Sequence, residues 1–192
     1  PIIKGWSTEL AQEVTSNGVQ IHGGMGFIEE TGAAQYMRDA RILPIYEGTN
    51  AIQANDFMFR KTIKDNGLTA KIFLDEMIKD CKDNIQMTNM VNLAIETLDY
   101  ILNNRDDYEK LSCISFDYMM GFGYLIGGWL MHKAKIKARL KLSNKNQNEI
   151  FLKSKIISSD FYNLHILPRI QSHFQIVLNG AEVIQSTNDS YI

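Results

Sequence analysis

Hydrophobic residues recur at helical spacing along almost the whole chain, and the hydrophobic–polar alternation typical of β-strands is rare. Near the start, Trp6, Leu10 and Val14 stand four residues apart, which predicts a buried stripe on a helix over residues 4–17 that ends at Asn17 and Gly18. Further helices are predicted over residues 33–41, 51–65, 70–84, 86–104, 112–142 and 149–185. The pattern therefore predicts an all-α protein.

Glycine and proline interrupt this pattern at defined places. Residues 23–26 contain three glycines, Gly23, Gly24 and Gly26, and each costs about 1 kcal/mol relative to alanine inside a helix, so we expect a loop or a break there. Pro44 is expected to end the helix over residues 33–41, and Pro168 to kink or split the last helix. The strongest turn signal is Asn66–Gly67, where we place a boundary between domains 1–66 and 67–192.

Five basic residues between positions 133 and 141 alternate with apolar ones, a period of two that formally indicates a strand. The length of the segment and a preceding stripe at helical spacing favour a helix instead. That stripe consists of Phe116, Met120, Gly123, Gly127 and Leu130. On a helix the charges spread around much of the circumference, so we interpret them as a solvated face. Nucleic-acid binding through this run is the weakest alternative.

Composition narrows the classes of function. The 192 residues carry 20 lysines and arginines against 22 aspartates and glutamates, a formal charge of −2, whereas proteins that coat phosphate backbones rely on a positive excess. Nucleic acid is therefore not an expected partner. Cys81 and Cys113 form neither a CxxC motif nor a histidine–cysteine cluster, which predicts buried thiols, no metal site and a reducing, cytoplasmic compartment.

No signal-peptide pattern stands at the N-terminus, and the longest apolar run, residues 119–131, is shorter than the ~20 residues that cross a bilayer. We therefore expect no membrane span.

Glu47 is the first candidate for chemistry. It lies between Tyr46 and Gly48 on a turn before a helix, where partial desolvation would raise its pKa towards the range useful for a general base. Gly48 would let a ligand approach the backbone closely. The alternative is a surface glutamate favoured only by the dipole of the following helix.

The helix after Glu47 can be capped in two ways. Thr49 or Asn50 can serve as the cap, and Gln53 stands three residues after Asn50, where it would close a capping box. The free N–H groups at that end suit a phosphate or another polar ligand.

The glycine run is the second candidate. The side chains of Gln20 and His22, together with backbone N–H groups near Gly24, could cradle a bulky cofactor. The run is not a Rossmann fingerprint, since no strand precedes it and the GxGxxG spacing is absent, and it lacks the Lys-Ser/Thr end of a phosphate-binding loop. A sharp helix-to-helix turn explains it equally well.

The Glu47 segment and the glycine run, taken together, resemble the sequence of a known family. Residues 20–53, QIHGGMGFIEETGAAQYMRDARILPIYEGTNAIQ, resemble the C-terminal helical domain of the acyl-CoA dehydrogenases in the order Gln-x-x-Gly-Gly, Met-Arg-Asp-Ala and Ile-Tyr-Glu-Gly-Thr. Residues 115–140 and 151–184 look like the extra C-terminal domain of the longer members, the group that includes methylmercaptopropionyl-CoA dehydrogenase. The resemblance implies a helical bundle followed by a second, bundle-like helical extension.

The resemblance also implies roles for individual residues. Glu47 would remove the α-proton of an acyl-CoA thioester while the β-hydride passes to the flavin of FAD, giving the trans-2-enoyl-CoA, and Gly48 would lie against the thioester. Thr49, Asn50 and Ala51 would touch FAD, although the family more commonly has Thr-Ser-Gln here, so a side-chain contact at Ala51 is lost.

Gln20 and Gly24 would contact the FAD of a neighbouring subunit, which makes a homo-oligomer, a dimer or tetramer, part of the cofactor site. His22 falls where the family varies and receives no role. An electron-transfer flavoprotein-type acceptor is implied, with oxygen as the alternative acceptor of an oxidase.

The same resemblance implies that a whole enzyme needs an N-terminal helical domain and a middle β-domain, neither of which this sequence matches. We expect the chain to be the C-terminal portion of such an enzyme, inactive alone and unable to hold FAD tightly. The alternative from another class is a non-catalytic helical oligomerisation or interaction module of the same descent.

Overall fold

The computed structural model describes residues 1–143, 148–187 and 190. Over these residues the chain folds into helices and turns and contains no strand, so the all-α prediction is confirmed. The alternating basic residues 133–141 lie at the end of a long helix, as predicted.

The first third of the chain consists of one long helix at its start and the shorter elements that follow it. They are α1 (Ile2–Ile21), α2 (Gly24–Phe27), a 3-10 turn (Glu29–Thr31), α3 (Ala33–Ala40) and α4 (Asn50–Asn55), which continues as a π-helical segment (Asp56–Ile63). The wider winding ends in hydrogen bonds that span five residues, from the Lys64 N–H to the Phe59 carbonyl (3.2 Å) and from the Gly67 N–H to the Thr62 carbonyl (2.8 Å).

The remainder forms a second set of helices. They are α5 (Leu68–Cys81), α6 (Ile85–Asn103), α7 (Tyr108–Leu142), α8 (Glu149–Phe161), a π-helical segment (Tyr162–Ile166), α9 (Arg169–Asn179) and α10 (Ala181–Gln185). Pro168 stands between the π-helical segment and α9, as its predicted break requires, and Gly180 makes a second break that the sequence did not predict.

Helix α7 is the centre of the fold, and α1, α4, α5, α6, α8, α9 and α10 all pack against it. Glycines allow two of these helices to approach closely: the ring of Phe174 on α9 lies against Gly121, and the indole of Trp6 on α1 lies against Gly123. A Cβ atom at either glycine would overlap the aromatic ring.

The hydrophobic core is continuous across the predicted boundary at residue 66. Phe57 stacks on Tyr118 (5.0 Å between centroids), and Tyr118 in turn meets Phe122. The buried hydroxyl of Tyr118 lies 3.4 Å from the Thr62 hydroxyl, and burial raises the pKa of Tyr118. Asn66 and Gly67 do form a left-handed turn, with φ values of 55° and 73°, but the division into two domains there stays a prediction.

Two of the predicted stripes need correction. Helix α1 passes through Asn17 and Gly18 instead of ending there, and Val14 is 66% exposed, although Trp6 and Leu10 pack against the core. A spacing of four residues drifts by about 40° per step around an α-helix, which carries Val14 off the buried face. On α7, Met120 and Gly123 are buried, whereas Phe116 and Leu130 are exposed.

The solvated-face interpretation of the basic run holds for only part of it. Lys133 forms an ion pair with Asp80 on α5 (2.9 Å), and Lys135 pairs with Asp160 on α8. The other three basic residues of the run are exposed. The hydrogen bond to Lys133 is the main reason why the pKa of Asp80 is lowered. Part of the run therefore ties α7 to its neighbours.

Candidate active site

Glu47 and Gly48 lie on the turn between α3 and α4, and both have left-handed backbone conformations, with φ values of 57° and 82°. Such a φ is uncommon for a residue that carries a Cβ atom. At Gly48 the positive φ alone explains why the residue is a glycine. The turn therefore presents Glu47 in a conformation that the surrounding structure must hold.

Side chains bind the carbonyl groups of both turn residues. The Gln53 amide donates to the Glu47 carbonyl (3.0 Å), and the Lys4 ammonium on α1 donates to the Gly48 carbonyl (2.8 Å). The Asn50 backbone N–H donates to the Pro44 carbonyl (3.0 Å), which closes the loop at its base. The turn is thus attached both to α4 and to α1.

Thr49, and not Asn50, caps α4: its hydroxyl accepts a hydrogen bond from the Ile52 N–H (3.4 Å). The predicted capping box between Asn50 and Gln53 is wrong, because the helix already begins at Asn50 and the Gln53 amide binds the Glu47 carbonyl. Thr49 and Ala51 are exposed.

Asn50 is only 4% exposed, and its side chain is turned towards α1. Its amide nitrogen donates to the Glu9 carboxylate (2.7 Å), the Thr8 hydroxyl (2.9 Å) and the Gly5 carbonyl (3.2 Å). Its amide oxygen accepts from Lys4 (2.8 Å). The side chain of Asn50 and its backbone N–H are therefore both bonded within the chain.

Sequence reasoning missed Lys4, Thr8 and Glu9. The spacing of four residues between Lys4 and Thr8 places these two on one face of α1, and this is the only signal that the sequence carries. It does not indicate that the face meets Asn50, because that contact depends on how α4 packs against α1.

Glu47 itself is exposed within this chain, so the expected partial desolvation of its carboxylate is wrong for the chain as described. The turn lies at the edge of the molecule, between two short helices. Two apolar cavities of about 290 and 500 Å³ lie elsewhere, between α1, the first π-helical segment and α7, where Ile2, Phe57 and Ile126 line both.

Only the first glycine of the run lies in a turn: His22 and Gly23 separate α1 from α2, whereas Gly24 and Gly26 belong to α2, so the expected break is confined to the start of the run. Gly23 has a φ of 59°, and a Cβ atom at Gly26 would overlap the Val19 carbonyl. Gly24 differs from both, since its φ is not positive and a Cβ atom there would meet nothing within 4 Å. Neither backbone geometry nor packing within the chain explains why residue 24 is a glycine.

Gln20 and Gly24 are exposed at the C-terminal end of α1 and the start of α2. Lys4, which binds the Glu47 turn, is near the other end of α1, and at 1.5 Å per residue Gln20 lies about 24 Å further along the axis. The structure thus brings residues 47–51 together and leaves Gln20 and Gly24 at a distance. The His22 imidazole binds the Gly18 carbonyl (2.9 Å) at the end of α1.

Two further properties concern the described part of the chain as a whole. Within residues 1–143, 148–187 and 190, no group of three or more histidine, cysteine, aspartate or glutamate side chains is arranged to hold a metal ion. None of the helices described over the same residues has the length and apolar character needed to cross a membrane.

Two family models match the chain. The model described as "Acyl-CoA dehydrogenase, C-terminal domain" matches residues 1–60, and the model described as "Acetyl-CoA dehydrogenase C-terminal like" matches residues 60–187. The two matches meet at residue 60, within the π-helical segment that follows α4.

Similar curated proteins are acyl-CoA dehydrogenases. A 3-methylmercaptopropionyl-CoA dehydrogenase from Ruegeria pomeroyi is 38% identical over 97% of this chain and 34% of its own length. A broad-specificity linear acyl-CoA dehydrogenase from Mycobacterium tuberculosis is 28% identical over 92% of the chain and 32% of its own length. A butyryl-CoA dehydrogenase from Syntrophomonas wolfei is 27% identical over 88% of the chain and 30% of its own length.

The chain spans about a third of the length of these relatives. The similarity to the Ruegeria protein extends over nearly the whole chain, and thus over both the Glu47 turn and the helices that follow residue 66. With the two matches to C-terminal domain models, this assigns the chain to the acyl-CoA dehydrogenase family.

Proposed function

We propose that this chain is the base-bearing C-terminal portion of an FAD-dependent acyl-CoA dehydrogenase that converts an acyl-CoA thioester to the trans-2-enoyl-CoA. The observation that carries the proposal is the Glu47 turn. Glu47 and Gly48 both have left-handed backbone conformations, and Gln53 and Lys4 bind their carbonyl groups. The resemblance of the motif that contains Glu47 supports its role as the catalytic base.

Glu47 would take the proton from the α-carbon of the thioester. That proton is only weakly acidic, so the carboxylate must be held within hydrogen-bonding reach of it, about 3 Å, and shielded from water. The chain fixes the backbone of Glu47 but leaves its side chain exposed. The described residues leave the carboxylate uncovered, so we expect a water-excluding cover from other parts of the enzyme and expect the chain to be inactive alone.

Residues of the chain fit a flavin in two separate places. Thr49 and Ala51 are exposed beside Glu47, and Asn50 between them is buried, with its N–H bonded to Pro44; Gln20 and the unhindered backbone of Gly24 lie at the far end of α1. FAD, when bound, supplies the acceptor for the β-hydride. A separation of about 24 Å along α1 fits the proposal that Gln20 and Gly24 serve the cofactor of a neighbouring subunit.

The proposal extends to partners and place. We expect an acyl-CoA substrate, a homo-oligomer, a dimer or tetramer, an electron-transfer flavoprotein-type acceptor, and a cytoplasmic enzyme. An oxidase differs only in passing its electrons to oxygen. Reduction of an artificial dye without consumption of oxygen would identify a dehydrogenase, and consumption of oxygen would identify an oxidase.

A non-catalytic interaction module is the second candidate. It is favoured by large apolar side chains that stay exposed in the first third of the chain, such as Ile21 (84%), Phe27 (81%) and Tyr36 (73%). Such a surface is typical of a protein–protein interface. Both candidates need that interface, but only the first needs the carboxylate of Glu47.

Enoyl-CoA formation separates the two candidates. The flavin-loaded enzyme that contains this chain is assayed with an acyl-CoA and an artificial acceptor, unmodified and with Glu47→Gln. We expect Glu47→Gln to lower the rate at least 100-fold, since a general base contributes about 10²–10⁴-fold. Glu182→Gln, a change at an exposed glutamate on α10, is the matched control and should keep the rate. Equal rates for all three proteins would support the interaction module.

A further inference from the structure

Lys4 on α1 binds the residues on both sides of Thr49, one through its backbone and the other through its side chain. Its ammonium donates to the Gly48 carbonyl and to the Asn50 side-chain oxygen, each at 2.8 Å. These acceptors belong to the residue that follows Glu47 and to the first residue of α4. One cation therefore joins the Glu47 turn and the start of α4 to a helix more than 40 residues earlier in the chain.

Asn50 connects this cation to an anion. Its buried amide accepts from Lys4 through the oxygen and donates to the Glu9 carboxylate (2.7 Å) through the nitrogen. The charges of Lys4 and Glu9 thus sit on opposite ends of one amide that lies between two helices. Hydrogen bonds to charged groups are stronger than those between neutral groups, so this arrangement resists displacement.

The conformation of Glu47 depends on such restraint. Its φ of 57° lies in the left-handed region, which a residue with a Cβ atom keeps only where its surroundings hold it. Gln53 binds the carbonyl of Glu47 within the same local segment, whereas Lys4 binds the next carbonyl from a different helix. Lys4 therefore ties a backbone carbonyl of the turn directly to a different helix, beside the bonds that Asn50 makes to the same helix.

We propose that Lys4 is a positioning residue for the base: by binding the Gly48 carbonyl and, through Asn50, engaging Glu9, it fixes the location of the Glu47 carboxylate. The proposal rests on the proposed function. Lys4 acts on Glu47 through the backbone, and we assign it no contact with the substrate or with the reacting atoms.

The test compares Lys4→Met, which keeps the length of the stem and removes the charge, with Lys82→Met, a change at an exposed lysine after α5. Both are made in the flavin-loaded enzyme that contains this chain. We expect Lys4→Met to lower kcat at least tenfold with KM for the acyl-CoA changed less than twofold, and to speed amide hydrogen exchange in residues 45–50. Lys82→Met should change neither. Lys4→Arg, which keeps the charge, should recover part of kcat.

Amide hydrogen exchange in α9 is the control for a general loss of stability, and in Lys4→Met it should stay as slow as in the unmodified enzyme. If Lys4→Met does not fold, Lys4→Gln, which still offers one N–H donor, takes its place with the same expected direction. An unchanged kcat together with unchanged exchange at residues 45–50 overturns the positioning role. Glu47→Gln in the same assay tests the proposed function separately: if it keeps full activity that function fails, and the exchange result then decides only whether Lys4 holds the turn.

Discussion

Arg169 on α9 donates two hydrogen bonds, of 2.6 and 2.7 Å, to the carboxylate of Glu13 on α1, 156 residues earlier in the chain. The same guanidinium donates to the Tyr124 hydroxyl on α7 (3.2 Å) and lies over its ring. The helix that carries Lys4 is thereby joined to the helices that follow residue 66. The second set of helices supports α1, and α1 in turn holds the Glu47 turn.

Replacing Arg169 by methionine should lower the free energy of unfolding by about 0.5–1 kcal/mol, as expected for a partly exposed ion pair with good geometry. Lysine should recover only part of this loss, because it cannot form the paired hydrogen bonds of the guanidinium. Urea unfolding of the chain followed by circular dichroism measures the difference. A methionine variant as stable as the unmodified protein would show that the pair contributes nothing.

The contribution of this pair should depend on pH. The hydrogen bond from Arg169 is the main reason why the pKa of Glu13 is lowered. Because the folded-state pKa lies below the unfolded one, the stabilisation is complete above the ordinary glutamate value of about 4.3 and is lost as the pH falls through the folded-state pKa. The stability difference between the unmodified protein and Arg169→Met should therefore shrink from pH 6 to pH 3. A difference that grows on acidification would contradict this assignment.

Close packing at α7 predicts opposite effects for two glycine-to-alanine changes. Gly123→Ala should destabilise the protein by about 1–3 kcal/mol, because the added methyl group overlaps the Trp6 ring in a filled core. Gly18→Ala is the matched control: it lies inside α1 with nothing within 4 Å of the new Cβ atom, and it should stabilise by up to about 1 kcal/mol. Midpoints of thermal unfolding test the pair, and two shifts of the same sign would refute the packing described for α7.

The two thiols should differ in reactivity. Cys81 is buried, and burial raises its pKa to about 11, so little thiolate is present at neutral pH, whereas Cys113 is partly exposed. In the Cys113→Ser variant we expect almost no reaction of the native protein with a disulfide reagent at pH 7.5, and reaction of one thiol per chain after unfolding in urea. In Cys81→Ser the native protein should react at Cys113. Fast labelling of native Cys81 would contradict its burial.

Much of the helical architecture was predictable because hydrophobic periodicity, Pro44, Pro168 and Asn66–Gly67 are local signals. The break at Gly180 was missed, as was the passage of α1 through Gly18, because an isolated glycine in a helical pattern can continue the helix or end it.

The candidate site was predictable only in part. The motif placed Glu47 on a turn before a helix. Whether Thr49 or Asn50 caps α4 depends on the contact of Asn50 with α1, which local sequence does not encode. The exposure of Glu47 likewise depends on what covers the turn, and residues 1–143, 148–187 and 190 do not supply that cover.

Flavin reduction in a single turnover tests the role of Glu47 most directly. The flavin-loaded enzyme that contains this chain is mixed with an acyl-CoA without oxygen, and the loss of flavin absorbance is followed for the unmodified protein, Glu47→Asp and Glu47→Gln. A base at this position predicts the fastest reduction for the unmodified protein, an intermediate rate for the shorter carboxylate, and a rate at least 100-fold lower for the amide. Reduction by Glu47→Gln at the unmodified rate would contradict the assignment of Glu47 as the base.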